Sequence, residues 1–468
     1  MSESTNPTYR SIDVATGAVL SEHAHATDAE ISAALDAAHG AAATWGATSV
    51  EERAEIVRRV ADLFAERQDE LGTIITREMG KPVAEAPGEA EFSGDIFRYY
   101  ADNAGKLTED LVIEDTAESR TVVQRRPVGA LLGIMPWNYP YYQVARFAAP
   151  NLMLGNTILL KHAESVPESA LAIEKIMAEA GVPEGVYTNI FATHDQISTV
   201  IADPRVQGVS LTGSERAGAA IAAQAGSALK KAVLELGGSD PYVILSSYDI
   251  RAAARNALEV RLENTGQACN SNKRIIVHED VYDEFVDEVV HIVGALTPSD
   301  PAKVDNVLES FGPMSSEGAA DKIVSQIAAA VESGATLRTG GERVGGGYAD
   351  GFYVSPAVIT DIEVGSDIYY EEFFGPVVQV YKVSSDEEAL ELANNTQYGL
   401  GSTVFATEEG RAEKFADGLE AGMVGVNQSA PETEEMPFGG VKRSGYGREL
   451  GPLGMDEFVN KRLFSVKK

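Results

Sequence analysis

Between residues 128 and 236 the chain repeats one pattern, a short apolar run followed by a polar or helix-spaced stretch and then another short apolar run. Segments 128–135, 157–161, 186–191, 206–211 and 231–236 read as buried strands, with a helix over 168–180. Strands joined through helices lie parallel, so the pattern predicts an α/β fold with a Rossmann-like sheet that binds ligands beyond the carboxyl ends of its strands. Neither a G-x-G-x-x-G fingerprint nor a P-loop is present. The Gly213-Ser214 turn ahead of a helical stretch is the candidate for presenting backbone amides to a phosphate.

At 468 residues the chain exceeds what one ordinary core accommodates. The expected division is a cofactor domain over 1–107 and 127–238 and an α/β catalytic domain over 239–436. A small β oligomerisation arm is expected over 108–126 and 455–468, with 437–454 returning near the active site. Residues 1–26 read as polar and turn-rich, 111–124 as hairpin-like, 462–466 as a strand, and the glycine-rich 340–351 as a mobile surface loop. The arm's strands lack obvious partners in their own domains, which predicts pairing between subunits of a homodimer or homotetramer.

The second domain contains the only cysteine, in Asn264-Thr265-Gly266-Gln267-Ala268-Cys269. A lone cysteine is most often a small, inert, buried hydrophobe. Here Gln267, Asn270, Ser271 and Asn272 surround it with polar groups, whereas a core cysteine sits in an apolar periodic run. A nucleophile is therefore expected, and a single cysteine allows no disulfide within the chain. Asn138, in the proline-bracketed loop Pro136-Trp137-Asn138-Tyr139-Pro140, reads either as a turn residue or as a donor to developing negative charge. Glu235, at a strand end before Gly237-Gly238, reads either as a surface acid or as a desolvated base.

The 71 acidic and 38 basic residues give a net charge of −33, spread along the whole sequence. Such a surface repels nucleic acid and suits a high-salt cytoplasm. The longest apolar runs are too short to span a bilayer, residues 1–14 lack an apolar signal core, and the histidines lack metal-ligand spacing with the cysteine. No membrane, nucleic-acid or metal partner is expected.

Five stretches in register resemble the NAD(P)-dependent aldehyde dehydrogenase superfamily. They are Pro136-Trp137-Asn138, Glu235-Leu236-Gly237-Gly238, the segment ending at Cys269, Glu372-Phe373-Phe374-Gly375-Pro376, and Pro437-Phe438-Gly439-Gly440. The blocks LELGGSDP and FGGVKRSGYGREL are similar to its succinate-semialdehyde branch. The resemblance implies Cys269 as nucleophile, Asn138 as oxyanion donor and Glu235 as activator of the hydrolytic water. For the cofactor it implies Lys161 and Glu164 at the adenosine ribose, Gly213 and Ser214 near the pyrophosphate, Trp137 as a wall, and Glu372 and Phe374 at the nicotinamide end. A carboxylate at Glu164 favours a free 2′-hydroxyl over a 2′-phosphate, so NAD is expected over NADP. His162, beside that pair, reads as structural or solvent-facing.

The same resemblance assigns Arg146 to the carboxylate of a short ω-carboxy aldehyde. Glu263, six residues before the cysteine, and the acidic loop 431–435 depart from the pattern, since some relatives place arginine and serine there. Arg261 is the candidate that would compensate. A CoA-acylating relative would use the same cysteine but commonly lacks the glutamate, and a non-catalytic protein would not need all three catalytic residues.

Overall fold

The computed structural model describes residues 8–468. The first seven residues of the N-terminal reading lie outside the described residues. From residue 8 on, the segment is more ordered than its polar composition suggests: Tyr9–Asp13 and Ala18–His23 form an antiparallel hairpin. It is anchored by Tyr9, which is fully buried and donates through its hydroxyl to Ala192 O at 3.1 Å.

Two large sheets carry the molecule. The first has six strands in the order Gly445–Tyr446, Lys231–Glu235, Val206–Thr212, Ala130–Met135, Thr157–His162 and Tyr187–Asn189. All pair in parallel except the short Gly445–Tyr446. The second has seven: Thr336–Thr339, Ala357–Thr360, Val377–Val383, Arg274–His278, Pro241–Ile244, Gly401–Phe405 and Met423–Val426. Only its edge strand Thr336–Thr339 runs antiparallel. Thr157–His162 is buried along its whole length, as a central parallel strand covered on both faces must be.

Helix boundaries follow local chemistry. Thr27 with Glu30, Ser49 with Glu52, and Thr193 with Gln196 form reciprocal capping boxes that satisfy orphan backbone donors at three helix starts. These helices and their neighbours pack Trp45, Phe64, Phe97 and Phe147 into one apolar cluster. Segment 340–351 is tied down, not loose: Arg343 bridges Val354, and Gly346–Tyr348 forms a short 3₁₀ turn.

The arm is a three-stranded antiparallel sheet, Val459–Lys467 beside Ser119–Pro127 beside Leu111–Asp115. These strands pair with one another inside a single chain, which corrects the reading that they lack partners of their own. Val459–Lys467 and Ser119–Pro127, about 340 residues apart in sequence, carry no local sign of being neighbours. The sheet leaves Leu111 at 62% and Leu463 at 68% exposure. No described helix is long and apolar enough to cross a membrane.

Candidate active site

Parallel register brings the predicted residues to one edge. Ile134 pairs with Lys161 and with Leu211, Met135 with His162, and Thr212 with Glu235, so four adjacent strands end together. Beyond their carboxyl ends lie Asn138, Glu164, Ser214 and Gly237, where an open α/β sheet binds ligands. The second sheet answers with its opposite edge: Asp240 precedes the strand Pro241–Ile244, Cys269 precedes Arg274–His278, and Phe374 precedes Val377–Val383. Cys269 lines two cavities at this junction, one of about 550 Å³ and one of about 270 Å³.

The turn before the cysteine is left-handed at three successive residues, with φ of 49° at Asn264, 56° at Thr265 and 72° at Gly266. Asn tolerates this conformation, but a β-branched threonine adopts it only when its surroundings enforce it. Arg261, fully buried, supplies the enforcement. Its guanidinium donates to Gly266 O, Ser271 Oγ, Phe373 O, Gly375 O and Val377 O at 2.6 to 3.2 Å. Burial, only partly opposed by Glu372, brings its pKa down to about 9. Arg261 therefore has no free donor for a substrate, which corrects the expectation that it compensates for Glu263. Gly238 is required for a different reason: a Cβ there would lie 2.4 Å from Cys269 O.

Asn138 is buried and gripped on both sides. It donates through Nδ2 to Gln267 O at 3.0 Å and accepts from Gln143 Nε2 at 2.9 Å. Its place in the lining of the smaller cavity, which Cys269 also lines, suits a donor to an oxyanion. Glu235 is 2% exposed, and neither of its carboxyl oxygens has a partner. Burial, reinforced by Glu449, holds its pKa well above the usual carboxylate range against Arg146 and Arg448. Burial likewise pushes the Cys269 thiol up to about 12, opposed by Arg146 and Lys273. Both shifts favour the protonated form of the group.

Arg146 lines the larger cavity on the helix Tyr142–Leu154, with its Nε 2.8 Å from Glu449 Oε2. The guanidinium sits over the Phe438 and Tyr142 rings at 4.2 and 4.5 Å. Burial pulls its pKa down, but Glu449 and then Tyr142 outweigh that and raise it overall. Neither Nε nor Nη2 makes a hydrogen bond, and Glu449 Oε2 makes none either, so the 2.8 Å contact is an ion pair without hydrogen-bond geometry.

The smaller cavity is lined by Trp137, Thr212, Gly213, Ser214, Glu372 and Phe374. The Trp137 and Phe374 rings meet edge-on at 5.8 Å, and the buried Thr212 hydroxyl has no partner. Ser214 caps the helix Glu215–Ser227, so the turn offers amide donors and an orphan hydroxyl to a phosphate-bearing cofactor. These residues fit a nicotinamide dinucleotide. Glu372 accepts from Gly238 N at 3.1 Å and lies 3.2 Å from Lys273 Nζ. His162 is structural, bonding Pro140 O at 2.9 Å, with burial bringing its pKa down to about 4.

Residues 1–463 match the profile of the Aldehyde dehydrogenase family. The chain belongs to this family. A succinate-semialdehyde dehydrogenase [NADP(+)] of Deinococcus radiodurans is 47% identical over 455 residues, spanning 97% of this chain and 94% of the relative. Succinate-semialdehyde dehydrogenase [NADP(+)] 1 of Mycobacterium tuberculosis is 41% identical, over 96% of this chain and 97% of its own. The solved succinic semialdehyde dehydrogenase of Streptococcus pyogenes, in complex with NADP+, superposes with a TM-score of 0.93 at 40% identity, covering 98% and 100% of the two chains.

These relatives of the aldehyde dehydrogenase overturn the NAD preference inferred from Glu164, because they are named for NADP(+). The structure supplies the physical reason. Glu164 Oε1 lies 3.6 Å from Lys161 Nζ, and its side chain is 37% exposed while that of the lysine is 8% exposed. The carboxylate faces a cation and borders solvent, so it is neither unopposed nor fixed against a 2′-phosphate, and the lysine offers that phosphate a partner.

Two contributors were missed in the sequence. Lys273, not singled out in the sequence, is fully buried and donates through Nζ to Ala268 O and Cys269 O at 2.7 Å each. Glu449 was visible only as part of a similar block; its contact with Arg146 spans 303 residues and left no local signal.

Proposed function

We propose that this aldehyde dehydrogenase oxidises a short ω-carboxy aldehyde, succinate semialdehyde, to the acid with NADP(+). The reading is carried by Arg146, whose buried Nη2 has no partner in the wall of the cavity that ends at Cys269. The names of the relatives support it. The Cys269 sulfur, once deprotonated, adds to the aldehyde carbon, and Asn138 Nδ2 with the Cys269 amide stabilises the oxyanion. A bound dinucleotide supplies the hydride acceptor, leaving a thioester on Cys269. Glu235, after losing its own proton, activates the water that hydrolyses the thioester, and its presence favours hydrolysis over transfer to CoA.

Cys269→Ala should abolish oxidation, while Glu235→Gln should release one equivalent of NADPH per site in a burst and then stall. Loss of the burst itself would show Glu235 acting before hydrolysis. The domain division of the sequence reading is supported by the two sheets and the separate arm. The acidic surface supports a high-salt cytoplasmic setting, and the exposed apolar arm supports a homo-oligomer. Molar salt should raise the melting temperature by screening carboxylate repulsion; a decrease would contradict the salt-adapted reading.

A further inference from the structure

One buried cation beside the cysteine turn is unused in the steps proposed for Cys269, Asn138 and Glu235. The Lys273 ammonium donates to Ala268 O and to Cys269 O at 2.7 Å each. Those oxygens belong to the two peptide groups that flank the Cys269 Cα. Each group is planar, so a single ammonium fixes both planes and with them the φ and ψ of the cysteine. The Ala268 carbonyl shares its plane with the Cys269 N–H, and in a trans peptide the two point in opposite directions. Pinning the oxygen therefore aims the amide, and a cation on that oxygen makes the N–H a stronger donor. On another side Lys273 Nζ lies 3.2 Å from Glu372 Oε1, and Glu372 lines the smaller cavity while accepting from Gly238 N. The other acid facing Lys273 is Asp240, whose Oδ1 has no partner. The Cys269 sulfur faces Arg146 and Lys273 as cations and Glu432 and Glu235 as carboxyl groups. Of the two cations, Arg146 is paired with Glu449 across the larger cavity, and only Lys273 bonds the cysteine's own backbone.

We propose that Lys273 is a positioning residue for the oxidation: it pins both peptide groups flanking Cys269 so that the cysteine amide faces the oxyanion, keeps a cation near the thiolate, and ties this turn to the Glu372 carboxylate on the cofactor side. The proposal rests on the reading of Cys269 as the nucleophile and adds a residue that acts through Cys269 and Glu372 rather than on the substrate. No bond to substrate forms or breaks at Lys273. Its task is distinct from that of Arg261, whose acceptors are Gly266 O, Ser271 Oγ, Phe373 O, Gly375 O and Val377 O and include neither Ala268 O nor Cys269 O. Arg261 holds the frame of the turn, and Lys273 holds the cysteine within it.

Because Cys269 is the only cysteine, the pH dependence of its alkylation by iodoacetamide reads this thiol alone and needs neither aldehyde nor dinucleotide. The measurement therefore stands even if the substrate reading fails. Lys273→Met keeps the apolar stem and removes the charge and the donors. It should raise the midpoint of alkylation by about one pH unit, since a nearby cation favours the thiolate. In steady-state oxidation it should lower kcat roughly tenfold or more and raise KM for NADP+ while leaving KM for succinate semialdehyde unchanged. An unchanged or lower midpoint, or an equal rise in both KM values, would overturn the proposal. Lys273→Met also leaves Glu372 without its cation, so a second variant keeps the test independent of folding. Glu372→Gln retains an acceptor for Gly238 N and removes the anion that offsets Lys273, and it should lower the midpoint by roughly half a unit. Opposite shifts in the two variants support the assignment. A midpoint that stays or rises in Glu372→Gln overturns it, whether or not Lys273→Met folds.

Discussion

Two buried arginines, Arg146 and Arg261, look alike in the sequence and do opposite things. Arg261 ends the helix Ile250–Leu262 and gives all its donors to backbone and hydroxyl oxygens around the cysteine turn. Arg146 faces a single carboxylate, is stacked between two rings, and keeps two nitrogens, Nε and Nη2, without hydrogen-bond partners beside the substrate cavity. A fully satisfied guanidinium builds structure, whereas a partly satisfied one retains capacity for a ligand. Burial alone does not tell a binding group from a scaffold; the count of unused donors does.

The comparison breaks most visibly at Arg261. Arg261→Met should leave several buried carbonyls without donors and cost about 3 kcal/mol or more in denaturant unfolding, with activity lost as the left-handed turn relaxes. A variant within about 1 kcal/mol of wild type would show that the turn does not depend on this residue.

Arg146→Ala should act on substrate choice. Loss of a charge-assisted contact should raise KM for succinate semialdehyde by roughly tenfold to a hundredfold and affect butanal less. Because the change also strands Glu449, Arg146→Leu combined with Glu449→Gln is the cleaner variant. Equal losses on both substrates in steady-state kinetics would make Arg146 a scaffold like Arg261.

Buried acids repeat the contrast more quietly. Glu78 accepts from Glu168 N, Ser169 N and Ser169 Oγ, whereas Asp240 leaves Oδ1 without a partner. Burial pushes both carboxyls up to about 7 from ordinary values of 4.5 and 3.8. A carboxyl whose pKa is raised on folding contributes stability that is complete below its unfolded value and is lost as the pH rises through its folded value. The melting temperature at fixed salt should therefore fall between about pH 4 and pH 8 from these two groups. Asp240→Asn should flatten part of that slope, and an unchanged slope would exclude Asp240 as a contributor.

Much of the fold was legible because parallel strands leave short apolar runs separated by helical spacing, which burial on both faces demands. The polar hairpin Tyr9–Asp13 with Ala18–His23 escaped notice because its anchor, Tyr9, is a single residue whose partner Ala192 is far along the chain. Glu164 suggested the wrong cofactor because its half-exposed position and its 3.6 Å approach to Lys161 are set by the fold and not legible in the residue types.

Residue chemistry, together with the family resemblance, singled out the candidate reacting groups. A lone thiol on a polar turn, an amide in a strand-end loop and a carboxyl at an apolar strand end are each restricted in what they can do, and their types follow from the sequence. The tertiary structure decided how charge is paired: Arg146 with Glu449, Lys81 with Glu89, Arg261 with five oxygens, and Glu263 and Glu432 with no cation among the described residues. The reason is physical. Coulomb energy and hydrogen bonding depend on separation in space and on local dielectric, and a folded chain brings residues 303 positions apart to 2.8 Å.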